Sequence, residues 1–283
     1  MFVQSYPQAA EFLTAAQPFL EQDEITNNLI LGASLRLKER KRRSRRHVPF
    51  LATAVADGDV VAAAVMLPPH RLLLAYPMAA PTALRLLAEL LWQTKTTISG
   101  ILSPTPLAEE MARQWIQLAG VSYDVLAEQR LFVLYEVNPP LWPNGRFRPA
   151  RMEDVELMAE WVYAFQNEAL PHETADFQAA ELIAANLLQR GDLYVWDNGG
   201  PVSMAARARP TRRGSAINLV YTPPDKRGQG YASACVASLS QQLLNSGLEF
   251  CTLFTDQTNP TSNHIYQAIG YRPVTDFLDL RFT

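Results

Sequence analysis

The sequence predicts a mixed α/β fold in which one structural plan is used twice. The chain has 283 residues, which is long for one ordinary domain. Residues 138–149 hold four prolines and an Asn-Gly pair near the middle of the chain, and such a segment ends helices and central strands. The segments on either side show the same order of elements. We therefore predict a domain over 1–138, a linker over 139–149 and a second domain over 150–283, each a mixed, mostly antiparallel sheet flanked by helices.

In the first half, hairpin and helix signals follow one another at regular spacing. Asp57-Gly58 tolerates the positive φ that a tight hairpin needs, so it separates two predicted strands. Gly120 suits the left-handed residue that closes a helix. The predicted elements are a helix over 22–40, strands over 50–56, 60–67 and 71–76, a helix over 81–93, a strand over 97–102, a helix over 107–120 and a strand over 129–137.

The second half repeats that order. Asn198-Gly199 takes the place of the hairpin turn, and Gly270 closes the last helix. The predicted elements are a helix over 175–189, strands over 193–196, 202–208 and 216–222, a helix over 230–246, a strand over 250–256, a helix over 261–270 and a strand over 277–282. Direct identity between the halves is low, so the repeat lies in the order of elements.

Composition narrows the class of protein. With 48% hydrophobic and 19% charged residues, the chain is not disordered, and it has no run of about 18 apolar residues that would span a membrane. Met1–Leu20 lacks a basic start and a long apolar core, so we expect no secretory signal. Cys235 and Cys251 cannot form a disulfide framework, and with four scattered histidines they show no zinc-ligand spacing. We expect a cytoplasmic protein with buried thiols, no membrane segment and no metal.

Residues 36–47 form a basic run on an acidic chain. They hold 8 of the 25 Lys and Arg, which leaves 17 basic against 27 acidic residues elsewhere. Such a run binds an anion, nucleic acid or another protein face, or is a solvated helix end followed by an exposed loop. Because no aromatic residue is interleaved with it, the pattern argues against nucleic-acid binding.

The segment over 219–232 indicates a phosphate-binding loop. An apolar strand runs through two prolines into Arg227-Gly228-Gln229-Gly230, which opens a helix. Glycines let the backbone approach a ligand, and the helix start supplies N–H groups and positive potential. The loop lacks the Lys of a Walker loop, and Ser233 stands where a dinucleotide fingerprint needs a third Gly or Ala. An ordinary glycine-rich turn is the alternative.

A second polar segment follows the strand over 250–256. Asn259 or Thr261 is placed to cap the next helix. Ser262 and Asn263 lie four and three residues before Tyr266, so all three share one side of that helix. The alternative is a capped helix whose tyrosine fills the core.

Together, the two segments resemble the GCN5-related N-acetyltransferase (GNAT) superfamily. The family loop reads Gln/Arg-x-x-Gly-x-Gly/Ala, and residues 225–230 match it except at Asp225, the first position. The later pattern Asn-x-x-Ser-x-x-x-Tyr-x-x-x-Gly-Tyr is present over 259–271. The resemblance covers roughly residues 145–283 and extends to the first half only in outline.

The resemblance implies acetyl transfer from acetyl-CoA to a primary amine in a ternary complex. Its strand end would pair with pantetheine, its loop would bind the pyrophosphate, and the later segment would contact CoA from the other side. The implied cofactor-binding residues are Val220, Tyr221, Thr222, Arg227, Gly228, Gln229, Gly230, Tyr231, Ala232, Asn259, Ser262 and Asn263. Tyr266 would lie near the thioester sulfur and protonate the departing thiolate.

The general base is not evident from the sequence. Residues 216–219 carry no carboxylate where some family members have one. Glu168 and His172 lie where the acceptor-side helices are expected, and Glu168 is the candidate we carry forward. Water and a shifted amine pKa are the alternative.

The first half lacks the residues that carry this chemistry. Aligning the two halves puts Ile116 where Tyr266 stands, and residues 76–85 hold no glycine. We therefore expect a degenerate GNAT-like domain that binds no CoA. Two other functions remain open: a CoA-binding sensor or interaction protein without turnover, and an anion- or nucleic-acid-binding protein that uses residues 36–47. The acceptor and the oligomeric state are not determined by the sequence.

Overall fold

The computed structural model describes residues 1–39, 48–68, 70–75, 81–169, 172 and 174–283. The chain forms two compact units. The first unit contains Met1–Leu131, Thr255–Thr258 and Val274–Thr283. The second unit contains Phe132–Phe254 and Asn259–Pro273.

The first unit is a mixed α/β structure. Its strands are β1 (Phe2–Ser5), β2 (Phe50–Ala56), β3 (Asp59–Met66), β4 (Leu73–Ala75), β5 (Gly100–Pro104), most of β6 (Tyr123–Leu134) and most of β12 (Arg272–Phe282). Its helices are α1 (Ala9–Leu20), α2 (Asn28–Glu39), α3 (Pro81–Gln93) and α4 (Thr105–Ala119).

Its strands pair antiparallel with one exception. One sheet has the order β1-β2-β3-β4, and β12 pairs with β5 and lies next to β6. A parallel bridge between Leu72 and Ile101 joins the chain entering β4 to β5. Helices α3 and α4 cover one side of this unit with an apolar cluster, and α1 and α2 cover the other side with a second cluster.

The second unit repeats this arrangement. Its strands are β7 (Arg146–Pro149), β8 (Leu193–Asp197), β9 (Pro201–Ala208), β10 (Gly214–Tyr221) and most of β11 (Phe250–Asp256). Its helices are α5 (Val155–Ala169), α6 (Phe177–Arg190), α7 (Tyr231–Asn245) and α8 (Pro260–Ile269). The strand order is β11-β10-β9-β8-β7, and β10 and β11 run parallel. One cluster packs under α7 and α8, and the other under α5 and α6.

The structure confirms the predicted fold class and most of the elements. Helix α3 has the predicted bounds, and α6, α7, α8 and both hairpins match within a few residues. The helix predicted over 22–40 begins only at Asn28 and is preceded by α1, which was not predicted because Pro18 lies inside it. Helix α5 was likewise not predicted.

Two findings differ from the predicted division of the chain. The last strand was expected to close the second domain, but Phe277–Arg281 pairs with Gly100–Pro104 of β5 and belongs to the first unit. Residues 139–149 were expected to be a linker, but β7 pairs with β8 and belongs to the second unit. Strand pairing joins residues far apart in sequence, so a division drawn by position along the chain misses both features.

Candidate active site

The end of β10 is distorted on both of its edges. Against β9, the register shifts by one residue between Asn218 and Tyr221, and Leu219 has a φ of 48°, so β10 carries a bulge. Against β11, the pairing within the described chain covers only Gly214–Ala216 with Phe250–Thr252. The two parallel strands therefore separate after Ala216. This leaves Val220, Tyr221 and Thr222 beside a gap in the sheet.

The loop that follows β10 has the backbone that a phosphate cradle requires. We use "the cradle" for residues 227–232, which include Gln229, Tyr231 and Ala232. Gly228 and Gly230 have φ values of 75° and 79°, a region that other residues enter only with strain. A Cβ built on Gly228 would meet no atom within 4 Å, so the loop is open at this position and glycine is required by the backbone conformation alone.

The start of α7 adds unsatisfied donors to the cradle. Its N-cap is Gly230, which has no side chain to accept from the first-turn N–H groups. Those groups therefore carry no side-chain cap, and the positive end of the helix lies at an exposed loop. An anionic group such as a pyrophosphate suits both features.

Arg227 braces the cradle from inside the second unit. Its Nε donates to the Thr222 carbonyl at 2.9 Å, and its Nη2 donates to Glu168 Oε2 at 2.6 Å. Its guanidinium also lies 5.7 Å from the ring centroid of Tyr221. Arg227 therefore links the cradle to the end of β10 and to α5.

Tyr221 is the second contact of Glu168. Its hydroxyl donates to Glu168 Oε1 at 3.1 Å. Burial raises the pKa of Tyr221, and the hydrogen bond to the Glu168 carboxylate raises it further. Both carboxylate oxygens of Glu168 are thus engaged, one by a phenol and one by a guanidinium. The predicted base is brought to the site, but as part of a bracing network.

Hydrogen bonds between neutral groups fix the end of β10 and the remaining side chains of the cradle. Thr222 Oγ1 donates to Ser203 Oγ at 2.9 Å, and Ser203 Oγ donates to the Tyr221 carbonyl at 3.2 Å. On the other side, the Tyr231 hydroxyl donates to Gln229 Oε1 at 3.1 Å and accepts from Asn198 Nδ2 at 2.9 Å. Gln229 and Tyr231 therefore shape the loop through their side chains.

Tyr266 lies on α8, whose start is fixed by the predicted cap. Asn259 is the N-cap, and its side chain accepts from the Ser262 N–H at 3.0 Å. Ser262 and Asn263 lie in the first helical turns, so the predicted cluster is on one helix. The Tyr266 ring is buried and packs edge-on against Tyr271, with centroids 6.0 Å apart.

The protonation state of Tyr266 follows from its burial. Burial raises its pKa to about 12, so the neutral phenol persists well above neutral pH. Among the described residues, no hydrogen bond to the hydroxyl is found, which leaves its proton available for another acceptor. The phenol therefore carries its proton near neutral pH and can donate it, although its raised pKa makes it a weaker acid than a free tyrosine.

One residue at this site was missed by the sequence analysis. Asn218 lies immediately before the bulge, and its Oδ1 is buried without a hydrogen-bond partner in the described part of the chain. The available signal was an amide within the otherwise apolar stretch Ile217–Val220. A general base at this position would be a carboxylate, and the amide oxygen of Asn218 is neutral, so the sequence pattern did not indicate this residue.

The chain is similar to known proteins in sequence over part of its length and in fold over nearly all of it. The family model described as FR47-like protein matches residues 198–278, which include the cradle and α8. A search of curated proteins found no match. A GNAT-family acetyltransferase from Colwellia psychrerythraea has a TM-score of 0.61 at 12% identity over 100% of both chains.

Two further structures extend the likeness over the whole chain. A Drosophila protein has a TM-score of 0.70 at 14% identity, covering 100% of this chain and 98% of its own. A tandem GNAT protein from the clavulanic acid biosynthesis pathway has a TM-score of 0.58 at 11% identity, covering 99% and 98%. The fold is that of the GNAT superfamily. In this GNAT fold, the cradle and the gap between β10 and β11 lie together in the second unit.

The structure also bears on the other predictions made from composition. Cys235 and Cys251 are both free and buried, as predicted, and burial raises the pKa of each thiol. Among the described residues, no helix is long and apolar enough to cross a membrane. Within the same residues, no group of three or more His, Cys, Asp or Glu lies together as a metal site would require. Residues 40–47 of the basic run lie outside the described residues.

Proposed function

We propose that this protein transfers an acetyl group from acetyl-CoA to a primary amine, using the second unit alone. The single observation that carries the proposal is the cradle: two glycines at positive φ lead into a helix start without a side-chain cap, directly after a bulged strand that separates from its parallel neighbour. The GNAT fold supports the acetyl-transfer class, since that superfamily generally uses acetyl-CoA and an amine.

Three segments of the second unit would each bind a different part of CoA. Backbone N–H groups of the cradle would hold the pyrophosphate, with Arg227 fixing the loop shape. The exposed backbone edge of Val220, Tyr221 and Thr222 would pair with the amide groups of pantetheine, because β11 has already separated there. Asn259, Ser262 and Asn263 would contact CoA from α8.

The reaction is aminolysis of a thioester. The amine nitrogen forms a bond to the carbonyl carbon, the carbon–sulfur bond breaks, nitrogen loses one proton to water and sulfur gains one. The bulge at Leu219 turns backbone N–H groups out of the ladder, and these would stabilise the developing oxyanion. Tyr266 would give its proton to the sulfur and recover one from solvent. Holding both reactants in place supplies most of the rate gain.

The contacts of Glu168 support a positioning role for this residue. Both carboxylate oxygens of Glu168 are occupied, one by the Tyr221 hydroxyl at 3.1 Å and one by Arg227 Nη2 at 2.6 Å, so the side chain ties the cradle to α5. We therefore assign Glu168 to fixing the cradle against α5, and we keep catalysis by Glu168 as the outcome to be tested. The amine proton would then leave to water.

The test measures CoA release from acetyl-CoA over a panel of primary amines, together with equilibrium binding of CoA. We expect saturable release with at least one amine, and binding that is lost when the cradle is altered. Binding of CoA without release on any amine would favour the alternative function, a CoA-dependent sensor or interaction protein. No binding of CoA at all would contradict both functions.

A further inference from the structure

Two buried oxygens on the same face of the second unit have no partner. They are Asn218 Oδ1 on β10 and Thr252 Oγ1 on β11, within the described chain. Buried polar atoms are nearly always hydrogen-bonded, because leaving one unpaired costs its full desolvation. Two such oxygens on neighbouring strands indicate a binding site for a ligand whose hydrogen-bond donors pair with them.

Strand alternation puts both side chains on the face covered by α5 and α6. Asn218 is registered with Ala206, which belongs to the apolar cluster beneath those helices. Thr252 lies between Cys251 and Leu253, which both face α7, so Thr252 points to the opposite face. Thr252 is registered with Ala216, two residues before Asn218, so the two residues are about 5 Å apart across the strands and about 7 Å apart along them.

The same place adjoins the groups proposed to act on the thioester. Asn218 is followed directly by Leu219, where the bulge turns N–H groups out of the ladder. The pairing of β10 with β11 ends at Ala216 and Thr252, so both oxygens lie where the gap in the sheet begins. A group held by these oxygens is therefore close to the carbonyl that the bulge would polarise.

We propose that Asn218 and Thr252 bind the amino group of the acceptor, and that they select the neutral primary amine. This inference rests on the proposed acetyl transfer. A neutral primary amine has two N–H donors and one lone pair. Two neutral oxygens can take the two N–H groups, which leaves the lone pair for the thioester carbon. Both side chains are positioning residues, since they touch the acceptor and exchange no proton.

The charges around this face favour the neutral form. An amine in water has a pKa of about 10.4, and moving it away from water beside uncharged oxygens lowers that value. The elements around this face carry Tyr163 and the exposed Glu156, Glu160, Glu181 and Arg190 on α5 and α6, and Arg207 on β9, which pairs with Asp192 at 2.7 Å. The groups that the proposed function places at the site are Glu168 of α5, Tyr221 of β10, Arg227 of the cradle and Tyr266 of α8. Glu168 is already paired with Arg227 at 2.6 Å, and burial favours the neutral form of both tyrosines. An incoming ammonium would thus find no unpaired carboxylate among these groups.

The experiment is calorimetric titration of the full chain, saturated with CoA, with n-butylamine at pH 8. It is repeated in buffers with different enthalpies of ionisation. At this pH nearly all butylamine is protonated, so binding of the neutral form releases close to one proton per amine to the buffer. Asn218→Leu should weaken binding at least tenfold. Asn186→Leu, an exposed amide on α6, is the matched control and should leave binding unchanged.

Two further variants separate binding from folding. Thr252→Val keeps the shape of a fully buried side chain and removes only its oxygen, so it should weaken amine binding while Tm stays equal or rises. Asn218→Asp introduces a carboxylate that favours ammonium, so the proton release should fall towards zero. Both effects would be absent if the oxygens served only the folded structure.

The proposal is overturned by any of three results. Butylamine could bind without proton release, bind Asn218→Leu and Thr252→Val as tightly as wild type, or fail to bind the wild type. Failure of the proposed function has another signature, because it appears as loss of CoA binding or of CoA release. An enzyme that binds and turns over acetyl-CoA, yet is indifferent to these two oxygens, would refute this inference alone.

Discussion

The two units share a strand order. They differ in the connection from β10 to α7 in the second unit and from β4 to α3 in the first unit. In the second unit, β10 leads into the cradle, with glycines at φ values of 75° and 79°. In the first unit, β4 leads into α3 through a segment without glycine, residues 76–80 of which lie outside the described chain. A second difference lies four residues before the glycine that closes a helix. This position is Tyr266 in α8, which ends at Gly270, and Ile116 in α4, which ends at Gly120.

Comparing the two units distinguishes the residues that shape the fold, which both units have, from the residues of the candidate site, which only the second unit has. Both units keep the glycines that shape them: Gly120 and Gly270 end their helices with φ values of 67° and 113°. Only the second unit has a glycine-rich loop and a phenol at the corresponding positions. The first unit therefore keeps the architecture although its sequence has neither the glycine-rich loop nor the tyrosine at the corresponding positions.

The largest expected effect is on Tyr266, the group that most clearly separates the two units. Tyr266→Phe should lower the rate of CoA release about 1,000-fold while CoA binding changes little, because only the proton donor is lost. Tyr271→Phe is the matched control: its hydroxyl hydrogen-bonds Ser240 in the core, so it should lower stability and spare turnover. Steady-state kinetics and CoA titration check both. Wild-type turnover in Tyr266→Phe would remove the phenol from the mechanism.

A second prediction concerns the ion pairs that anchor strands in each unit. Arg148 of β7 bonds Asp154 at 2.7 Å and Asp197 at 2.5 Å, and all three side chains are largely buried. Arg148→Ala should lower the free energy of unfolding by about 3 kcal/mol, because it leaves two carboxylates without their partner. Arg71→Ala removes the single bond to Asp279 in the first unit and should cost less. Denaturant unfolding measures both, with the exposed Arg151→Ala as control.

This cluster also gives the folded state a defined pH dependence. Burial would raise the pKa of Asp154, but hydrogen bonds from Arg148 and from the Arg151 backbone outweigh it and lower the pKa. The hydrogen bond from Arg148 also lowers the pKa of Asp197. A lowered folded-state pKa stabilises the protein above the unfolded value of about 4, and this contribution is lost as pH falls through the folded values. Tm should therefore fall between pH 5 and about pH 2, and less steeply in Arg148→Ala.

The cradle itself gives a third prediction, tested with two glycines of equal geometry. Gly228 and Gly199 have φ values of 75° and 74°, and at both a Cβ would meet no atom within 4 Å. Gly228→Ala and Gly199→Ala should therefore cost similar stability, about 1 kcal/mol. Only Gly228→Ala should weaken CoA binding, by about 100-fold, since it changes the loop that we propose holds the pyrophosphate. Equal CoA affinity in the two variants would contradict the cradle assignment.

The smallest expected effect on kinetics is that of Glu168→Gln. Measuring it distinguishes a positioning role for Glu168 from a role as general base. As a positioning residue, Glu168→Gln should raise the KM for acetyl-CoA no more than tenfold and leave kcat nearly unchanged, because its ion pair with Arg227 is half exposed. A general base would instead show a loss of kcat of about 100-fold and a changed pH profile. Arg227→Gln should raise the KM for acetyl-CoA more than Glu168→Gln does, because Arg227 also donates to the Thr222 carbonyl at 2.9 Å.

Much of the fold could be predicted because its signals are local. The hairpin turns at Asp57-Gly58 and Asn198-Gly199, the helix ends at Gly120 and Gly270, and the cap at Asn259 depend on residues within a few positions. Helix α1 was missed because an internal proline hides its pattern. Strand β7 was missed because a segment rich in proline reads as a linker until a partner strand is present.

The candidate site shows the same division. The sequence by itself determined the glycine-rich loop before α7, the capped start of α8 and the place of Tyr266 on that helix, because each depends on backbone conformation within one short segment. Only the tertiary structure decided that Glu168 meets Arg227 and Tyr221 and that β12 completes the first unit. It also decided that Asn218 Oδ1 and Thr252 Oγ1 find no hydrogen-bond partner among the residues that the structure describes. Ion pairs, strand pairing and the burial of a polar atom join residues tens to hundreds of positions apart, and no local pattern encodes such contacts.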